Sequence, residues 1–240
     1  MSKVLISIIG IMIPFIGTTL GSSFVFFLKK ELNKKIEKVL IGFAIGVMLS
    51  ASIFSLLIPS ISLSNNSWIK PSIGFILGFL FLIITNKIEN KKIDMLMFSV
   101  TLHNIPEGMA VGVCFAGFLS NNSSISLIEC MILSLGIALQ NIPEGSIISM
   151  PLISKGKTKF KSFILGMMSG IVEPVFGFIT IILLKIVVPL LPYLLSFASS
   201  AMIYVIISEL IPSMNEDENN FGLTGVLIGF VIMMILDLSF

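Results

Sequence analysis

The sequence predicts an all-α fold, that of a polytopic membrane protein with eight transmembrane helices. Of its 240 residues, 55% are hydrophobic and only 12% are charged, and the mean hydropathy of +1.07 is far above that of a soluble domain. Crossing a bilayer takes about 20 consecutive apolar residues. Runs of this kind predict helices over residues 4–28, 39–60, 69–85, 95–119, 125–153, 163–184, 187–211 and 221–238.

The first and third runs need individual justification. The first is too long for a signal-peptide core and is followed by Lys29 and Lys30 without a small-residue cleavage pattern, so we interpret it as a spanning helix. The third is short and has Pro71 near its start, where a helix tolerates proline. All connections are short. We therefore expect residues 1–240 to form one transmembrane domain, with any functional site inside the helix bundle.

The distribution of lysines predicts the orientation of the chain. The sequence has no arginine, and twelve of its 15 lysines follow the first, third and fifth helices. Because basic residues are retained on the cytoplasmic side, those connections should be cytoplasmic and both termini outside. The acidic connection at 215–220 departs from this pattern, but acidic residues contribute little to orientation. The lysines are thus explained by topology, and the net charge of +2 gives no reason to expect a nucleic-acid partner.

Two cysteines, Cys114 and Cys130, fall in the outer halves of the fourth and fifth helices. Small apolar packing residues are the favoured interpretation, and a disulfide or a metal thiolate is the alternative.

Charged residues at bilayer depth are costly and therefore mark functional positions. Glu107, Glu144 and Glu173 lie well inside the fourth, fifth and sixth helices, and His103 precedes Glu107 by one helical turn. At about 1.5 Å per residue, Glu107 lies about 18 Å from the cytoplasmic start of its helix. Since the fourth and fifth helices run antiparallel, Glu107 and Glu144 should face each other near mid-membrane. Three further acids, nearer helix ends, are easier to solvate: Glu129, Glu209 and Asp237.

Two copies of the motif "NIPEG", 37 residues apart, organise these polar residues. His103 and Glu107 are four apart, as are Gln140 and Glu144, so each pair shares a helix face, with Asn104 or Asn141 on the adjacent stripe. Imidazole and carboxylate are common ligands of zinc and iron, and amide oxygens broaden selectivity toward manganese or iron. The duplication predicts a divalent-metal site between the two helices.

The prolines of the motif strengthen this prediction. Pro106 and Pro143 deprive the carbonyls four residues earlier of their helical partner, and Gly108 and Gly145 permit close approach of neighbouring backbones. Interrupted helices at corresponding positions point to the substrate site of a transporter. Glu173, in "GIVEPVFG", is also deep and also precedes a proline, so we expect it to belong to the site.

These segments resemble those of ZIP-type (Zrt/Irt-like) divalent metal transporters. "HNIPEG" followed by "QNIPEG" is similar to the bacterial GufA-like branch, and "VEP" on the sixth helix and "YVIISELIPS" ending the seventh also match. The resemblance implies helices arranged as three, two and three with inverted-repeat symmetry, often as a homodimer in the cell membrane. It implies import of metal into the cytoplasm by alternating access, with helices four and five in the moving group, and zinc as the commonest substrate ahead of iron, manganese or cadmium.

The resemblance also implies a ligand set. A first site would use His103, Glu107, Gln140 and Glu144, and a second, adjoining site would use Asn104, Asn141 and Glu173, with Glu107 and Glu144 bridging. Some relatives have aspartate where this chain has Asn141, so the second site would lack one negative charge. Glu209 is either part of the cytoplasmic exit route or an interfacial residue. A histidine-rich cytoplasmic loop is absent, because His103 is the only histidine.

Three functions compete. A divalent-cation importer needs no organic cofactor, and its uptake should fall as pH falls, because protonation removes metal ligands. An intramembrane metal-dependent hydrolase is the alternative, but neither motif contains the second histidine of HExxH. A subunit or receptor with structural metal would bind metal tightly without flux. We expect the importer, and hence no enzyme.

Overall fold

The computed structural model describes residues 2–28, 34–65, 67–88, 95–120, 126–214 and 220–239. Within these ranges all regular structure is helical, and no strand occurs, which confirms the all-α prediction. Eight helical spans follow one another in the order predicted. They are α1 (Lys3–Ser23), α2 (Lys34–Ala51, continued by Ser52–Leu57 and Ile58–Leu63), α3 (Ile69–Ile88), α4 (Met95–Leu119), α5 (Leu127–Ser154), α6 (Lys159–Gly170 and Val172–Ile182), α7 (Leu184–Val205, continued by Ile206–Leu210 and Ile211–Met214) and α8 (Phe221–Ser239).

Most of these spans are long and apolar enough to cross a membrane. Among the described residues, seven helices meet that standard, namely α1, α2, α3, α5, α6, α7 and α8. The remaining span, α4, has 25 residues and carries the first polar motif. Large apolar side chains such as Ile76 and Ile84 stand exposed along α3, as expected of a surface that faces lipid. The chain is a multi-pass membrane protein.

Two spans contain π-helical segments followed by the same three residues. In α2 the segment Ser52–Leu57 precedes "IPS", and in α7 the segment Ile206–Leu210 also precedes "IPS". The two spans touch in this region, where Ser199 Oγ donates to the carbonyl of Ser52 at 2.7 Å. Segments of π-helix are often found at functional sites, because their extra residue changes the direction of the side chains that follow.

The sixth span contains a break. The span predicted over residues 163–184 is present as Lys159–Ile182, and it is divided at Ile171 into two segments. Pro174 has no backbone N–H with which to bond the carbonyl of Gly170, so the first segment ends there. Glu173 consequently lies in the first turn of the second segment, where the helix dipole favours an acid.

Helix packing divides the bundle into two groups. The most extensive pairings are α1 with α5 and α4 with α6 in one group, and α2 with α8 and α3 with α7 in the other. In the implied inverted repeat, α1 corresponds to α6, α2 to α7, α3 to α8 and α4 to α5. Under this correspondence the α1–α5 pairing becomes the α6–α4 pairing, and the α2–α8 pairing becomes the α7–α3 pairing. The four pairings therefore follow the implied inverted-repeat pattern.

Glycines bring the paired helices to backbone contact. A Cβ atom at Gly21 of α1 would collide with the backbone of Ile142 in α5, and one at Gly108 of α4 with the backbone of Glu173 in α6. The second group has equivalent contacts at Gly42 of α2 and Gly78 of α3. Each group is thus held together where helix backbones meet. The largest apolar core cluster lies mainly on α2 and α7 of the second group, and Val100 of α4 and Ile147 and Ile148 of α5 pack against it.

Cys114 and Cys130 are joined in a disulfide that links α4 to α5, with their Cα atoms 5.5 Å apart. The favoured interpretation as separate packing residues is therefore wrong. The two positions are sixteen residues apart in sequence, and both lie close to the short α4–α5 connection. The same end of the bundle, here called the α4–α5 end, also contains the start of α1 and the end of α8.

Several lysines behind the orientation argument lie outside the described residues: Lys29, Lys30, Lys91 and Lys92. Most of the acidic connection at 215–220 lies outside them too. The structure does describe the lysines before and within the first turn of α6. They lie at the end of the bundle opposite the α4–α5 end. One of them, Lys159, donates to the carbonyl of Phe26 at 3.0 Å.

Candidate metal site

Three of the predicted ligands converge between α4 and α5. His103 Nε2 lies 3.3 Å from Glu107 Oε1 and 3.2 Å from Glu144 Oε1. One ligand atom from each residue lies within 4.8 Å of the others, which is the spacing of groups that share one ion. All three side chains are buried, with exposed fractions of 0%, 4% and 1%. This set is called the His103 cluster below.

Local structure explains why these side chains meet. His103 and Glu107 stand one turn apart on the same face of α4. The helix continues through Pro106, and α5 continues through Pro143. Both prolines are thus accommodated without breaking either helix, and the polar face of α4 meets Glu144 from α5.

Many oxygen atoms around the His103 cluster have no hydrogen-bond partner among the described residues. Both carboxylate oxygens of Glu107 and Oε2 of Glu144 are buried in this state, as are the side-chain oxygens of Asn104 and Asn141. Burying acceptors without donors is costly. A divalent cation satisfies such oxygens in a way that no apolar neighbour can.

Glu173 forms a second polar group beside the first. Its Oε1 accepts from Thr18 Oγ1 at 3.1 Å, and its Oε2 accepts from Asn141 Nδ2 at 2.9 Å. Asn104 is anchored separately, since its Nδ2 donates to the carbonyl of Ser169 at 3.2 Å. The nitrogen of each asparagine is thereby occupied, and its oxygen is the atom left for a ligand. Asn104, Asn141 and Glu173 are all fully buried.

Gln140, the fourth predicted ligand of the first site, has side-chain contacts with two other helices. Its amide nitrogen donates to Ser55 Oγ in α2 and to Asp237 Oδ1 in α8. Asp237 was assigned to an easily solvated helix end, but it is half-buried and faces the bundle interior. Helical spacing places Gln140 and Glu144 on the same face of α5, but hydrogen bonds to Ser55 and Asp237 determine the direction of the Gln140 side chain.

A cavity of about 250 Å³ leads to these residues. Pro59, Leu63 and Leu133 line it toward the α4–α5 end, and Glu107 and Gln140 line its deeper part. Part of the His103 cluster is therefore reached from that end of the bundle. A hydrated divalent cation can be accommodated in a space of this size.

The chain matches the family model described as ZIP Zinc transporter over residues 93–237, more than half of its length. It is also 30% identical over 233 residues to the zinc transporter GufA of Myxococcus xanthus, covering 87% of this chain and 89% of that protein. The chain belongs to the ZIP zinc transporter family. Its resemblance to the GufA-like branch agrees with this similarity.

Other ZIP proteins are similar over different lengths. The zinc transporter ZIP11 of Xenopus tropicalis is 29% identical in an alignment of 331 positions that covers 99% of this chain and 98% of that protein. With the human zinc transporter ZIP11, identity is 34% over 153 residues, and the match covers 62% of this chain but only 44% of the human protein. ZIP membership confirms the expectation that the chain is a membrane transporter and no enzyme.

Glu129 and Glu209, two acids outside the His103 cluster, have different structural surroundings. Glu129 belongs to the capping box of α5, accepting from the backbone N–H of Ser126 at 2.8 Å, so it has a structural role. Glu209 is half-buried in the π-helical segment of α7, and its assignment to an exit route stays a prediction.

Three polar residues of this ZIP chain contact predicted site residues but were not predicted to do so: Thr18, Ser55 and Asp237. Asp237 carried a signal, because it is an acid in an apolar helix. Thr18 and Ser55 carried none, since serine and threonine are common in membrane helices.

Proposed function

We propose that this protein transports divalent transition metal, with zinc as the leading substrate and iron, manganese or cadmium as further ones, into the cytoplasm. The observation that supports this most is the His103 cluster, whose buried acids have oxygens with no hydrogen-bond partner in the part of the chain that the structure describes. The relatives named as zinc transporters support zinc in particular. No organic cofactor is part of the proposal.

The proposed transport site consists of His103, Glu107 and Glu144, with Gln140 as a fourth ligand once its side chain turns inward. Three protein ligands leave a coordination position open, which suits an ion that must enter and leave. Asn104, Asn141 and Glu173 form the proposed second, adjoining site. That site is weaker, because Asn141 supplies an amide oxygen in place of a carboxylate.

The proposed orientation has both termini outside the cell membrane and the α4–α5 end facing out. Two independent features support it. The lysines before and within the first turn of α6 lie at the opposite end of the bundle. The Cys114–Cys130 disulfide lies toward the α4–α5 end, and disulfides persist in oxidising compartments outside the cytoplasm. The protein is embedded in the lipid bilayer, and we propose a homodimer on the family resemblance alone.

The two helix groups suggest how the site changes sides. Each group is joined by glycine contacts at the level of the backbone, so each can move as a unit. The His103 cluster and Glu173 belong to the group of α1, α4, α5 and α6. We propose that this group moves against the group of α2, α3, α7 and α8, closing the cavity at the α4–α5 end as it exposes the ion to the cytoplasm.

Metal uptake into proteoliposomes tests the proposed function. Purified protein is reconstituted with a zinc-sensitive dye inside, and zinc is added outside. We expect dye signal that saturates with zinc, is competed by cadmium, manganese or iron, and is absent from protein-free vesicles. Glu129→Gln serves as the matched acid control, because Glu129 caps α5 and should leave uptake unchanged. Vesicles with intact protein that take up no transition metal would overturn the proposal.

Protease cleavage tests the orientation. A protease site inserted within residues 121–125 should be cut in intact cells by protease added outside, because the proposal puts this connection there. The two fragments should migrate together without reductant and separate after reduction, since Cys114 and Cys130 bridge the cut. Resistance from outside, with cleavage only after the membrane is opened, would reverse the assigned orientation.

Asn141→Asp tests the second site. Asn141 Nδ2 donates to Glu173 at 2.9 Å, and an aspartate there would face Glu173 with no donor between them. The two carboxylates should then need a cation, so we expect zinc bound per chain to rise from about one to about two in equilibrium dialysis. Asn104→Asp is the matched comparison on α4. A stoichiometry unchanged by Asn141→Asp would contradict a second site at Glu173.

A further inference from the structure

Gln140, Ser55 and Asp237 form a compact polar cluster, called the Gln140 clasp here. The amide nitrogen of Gln140 donates to Ser55 Oγ and to Asp237 Oδ1, and Ser55 Oγ donates to the same Asp237 oxygen at 2.5 Å. A carboxylate that accepts two hydrogen bonds holds its donors more firmly than a neutral acceptor does. The clasp therefore fixes the direction of the Gln140 side chain.

The clasp joins the two helix groups. Gln140 lies on α5, beside the His103 cluster, whereas Ser55 lies on the π-helical segment of α2 and Asp237 lies near the end of α8. Within each group, backbones meet at glycines. Across the groups the clasp consists of side-chain hydrogen bonds, which can break and form without unpacking a helix.

The clasp also lines the cavity that reaches the His103 cluster. Gln140, Ser55, Asp237 and Glu107 share its wall. Both oxygens of Glu107 are buried without a hydrogen-bond partner among the described residues, and Oδ2 of Asp237 is in the same state. An ion that enters from the α4–α5 end thus meets the clasp and Glu107 together.

We propose that Asp237 is a positioning residue for transport, acting through Gln140. With Ser55, it holds Gln140 away from the His103 cluster while the carrier is empty, and so holds the two helix groups in the arrangement that keeps the cavity open. A divalent cation bound by His103, Glu107 and Glu144 has an open coordination position, which the oxygen of Gln140 then fills. When Gln140 leaves Ser55 and Asp237 for the cation, the clasp is broken and the two helix groups can move against each other. This inference rests on the proposed function.

A cavity-labelling experiment tests the exchange. Leu133, on the cavity wall, is replaced by cysteine in a chain whose Cys114 and Cys130 are serines, and a membrane-impermeant maleimide is added from outside. In this parent, zinc should slow labelling. Asp237→Asn should slow labelling without zinc by about tenfold, because the empty carrier has lost the bonds that hold its cavity open. Zinc should then cause little further change.

Matched variants separate positioning from other roles. Gln140→Ala should slow zinc-free labelling as Asp237→Asn does, and the double variant should show no further loss, since both remove the same contact. Asp237→Glu should restore part of the parent rate. Glu129→Gln, on the same helix as Gln140 but outside the clasp, should leave labelling at the parent rate.

Several results would overturn the inference. If Asp237→Asn leaves zinc-free labelling unchanged but raises the zinc concentration needed to slow it, Asp237 is a cation ligand. Additive effects of Asp237→Asn and Gln140→Ala would mean that the two residues act separately. If zinc does not alter labelling in the parent, the exchange does not occur. Failure of the proposed function would be seen separately, as absent zinc uptake by the wild-type protein, while the zinc-free comparison still reports on the clasp.

Discussion

Glu107→Ala should reduce zinc uptake by about 100-fold or more, which is the largest effect we expect of a single substitution. Loss of a residue that only supports a metal ligand typically costs about 10- to 100-fold in metal affinity or activity, and Glu107→Ala would remove a proposed ligand itself. Glu107 is buried, contacts His103 and lines the cavity, so we expect its loss to affect both admission and binding of the ion. The measurement is initial zinc uptake into proteoliposomes, with equilibrium zinc binding to the same variant in detergent.

Glu107→Gln is the matched control for shape. It preserves volume and one oxygen but removes the charge, so we expect it to bind zinc more weakly than the wild type and to remain folded. Removing this buried charge should not lower thermal stability in the absence of metal, because the cost of burying a carboxylate exceeds the gain from its 3.3 Å contact with His103. Glu107→Ala or Glu107→Gln with normal uptake would remove Glu107 from the site.

Gly108→Val should lower uptake by about 10- to 100-fold without replacing any proposed ligand, because it displaces the residues proposed to hold the ion. A side chain at Gly108 meets the backbone of Glu173, so α4 and α6 must separate at the level of the site. Because both ends of this contact carry site residues, the displacement should weaken zinc binding as well as transport. Equilibrium zinc binding and uptake should be measured on the same preparation.

Ala110→Val is the matched control for this packing effect. Ala110 is on the same helix, but it is only half-buried and lines the cavity. We expect Ala110→Val to retain zinc binding, and the difference from Gly108→Val to report the α4–α6 contact. Equal losses in both variants would attribute the effect to added volume anywhere on α4.

The sequence could predict the His103 cluster because helical geometry determines it. His103 and Glu107 are one turn apart on one helix, and the second "NIPEG" repeats the pattern on an antiparallel neighbour. Depth along each helix was sufficient to bring Glu107 and Glu144 to the same level. The order of the eight spans could be predicted for a similar reason, since each is bounded by connections of different composition.

The sequence could not predict where Gln140 turns. Its partners Ser55 and Asp237 lie 85 and 97 residues away, and nothing in the spacing of either residue relates it to Gln140. The disulfide had the same difficulty, because two cysteines on different helices can pair only if helix rotation aligns them. Both features are contacts between helices, whereas the sequence predicts positions along them.

The break in α6 was within reach of the sequence. Pro174 deprives the carbonyl of Gly170 of its partner, as Pro106 and Pro143 do for the carbonyls of Leu102 and Leu139. Those two helices continue through their prolines, whereas α6 does not. In α6 the carbonyl that lacks its hydrogen bond belongs to a glycine, Gly170. Glycine itself lowers helix stability, so the helix ends at this position.

X-ray absorption at the zinc edge would show whether one cation is bound by His103, Glu107 and Glu144. His103 is the only histidine in the chain, so untagged protein reports on it without ambiguity. We expect one imidazole nitrogen and several carboxylate or amide oxygens at about 2.0–2.2 Å, with no sulfur. The imidazole contribution should vanish in His103→Ala. Zinc bound without imidazole in the wild-type protein, or with sulfur from Cys114 and Cys130, would contradict the account.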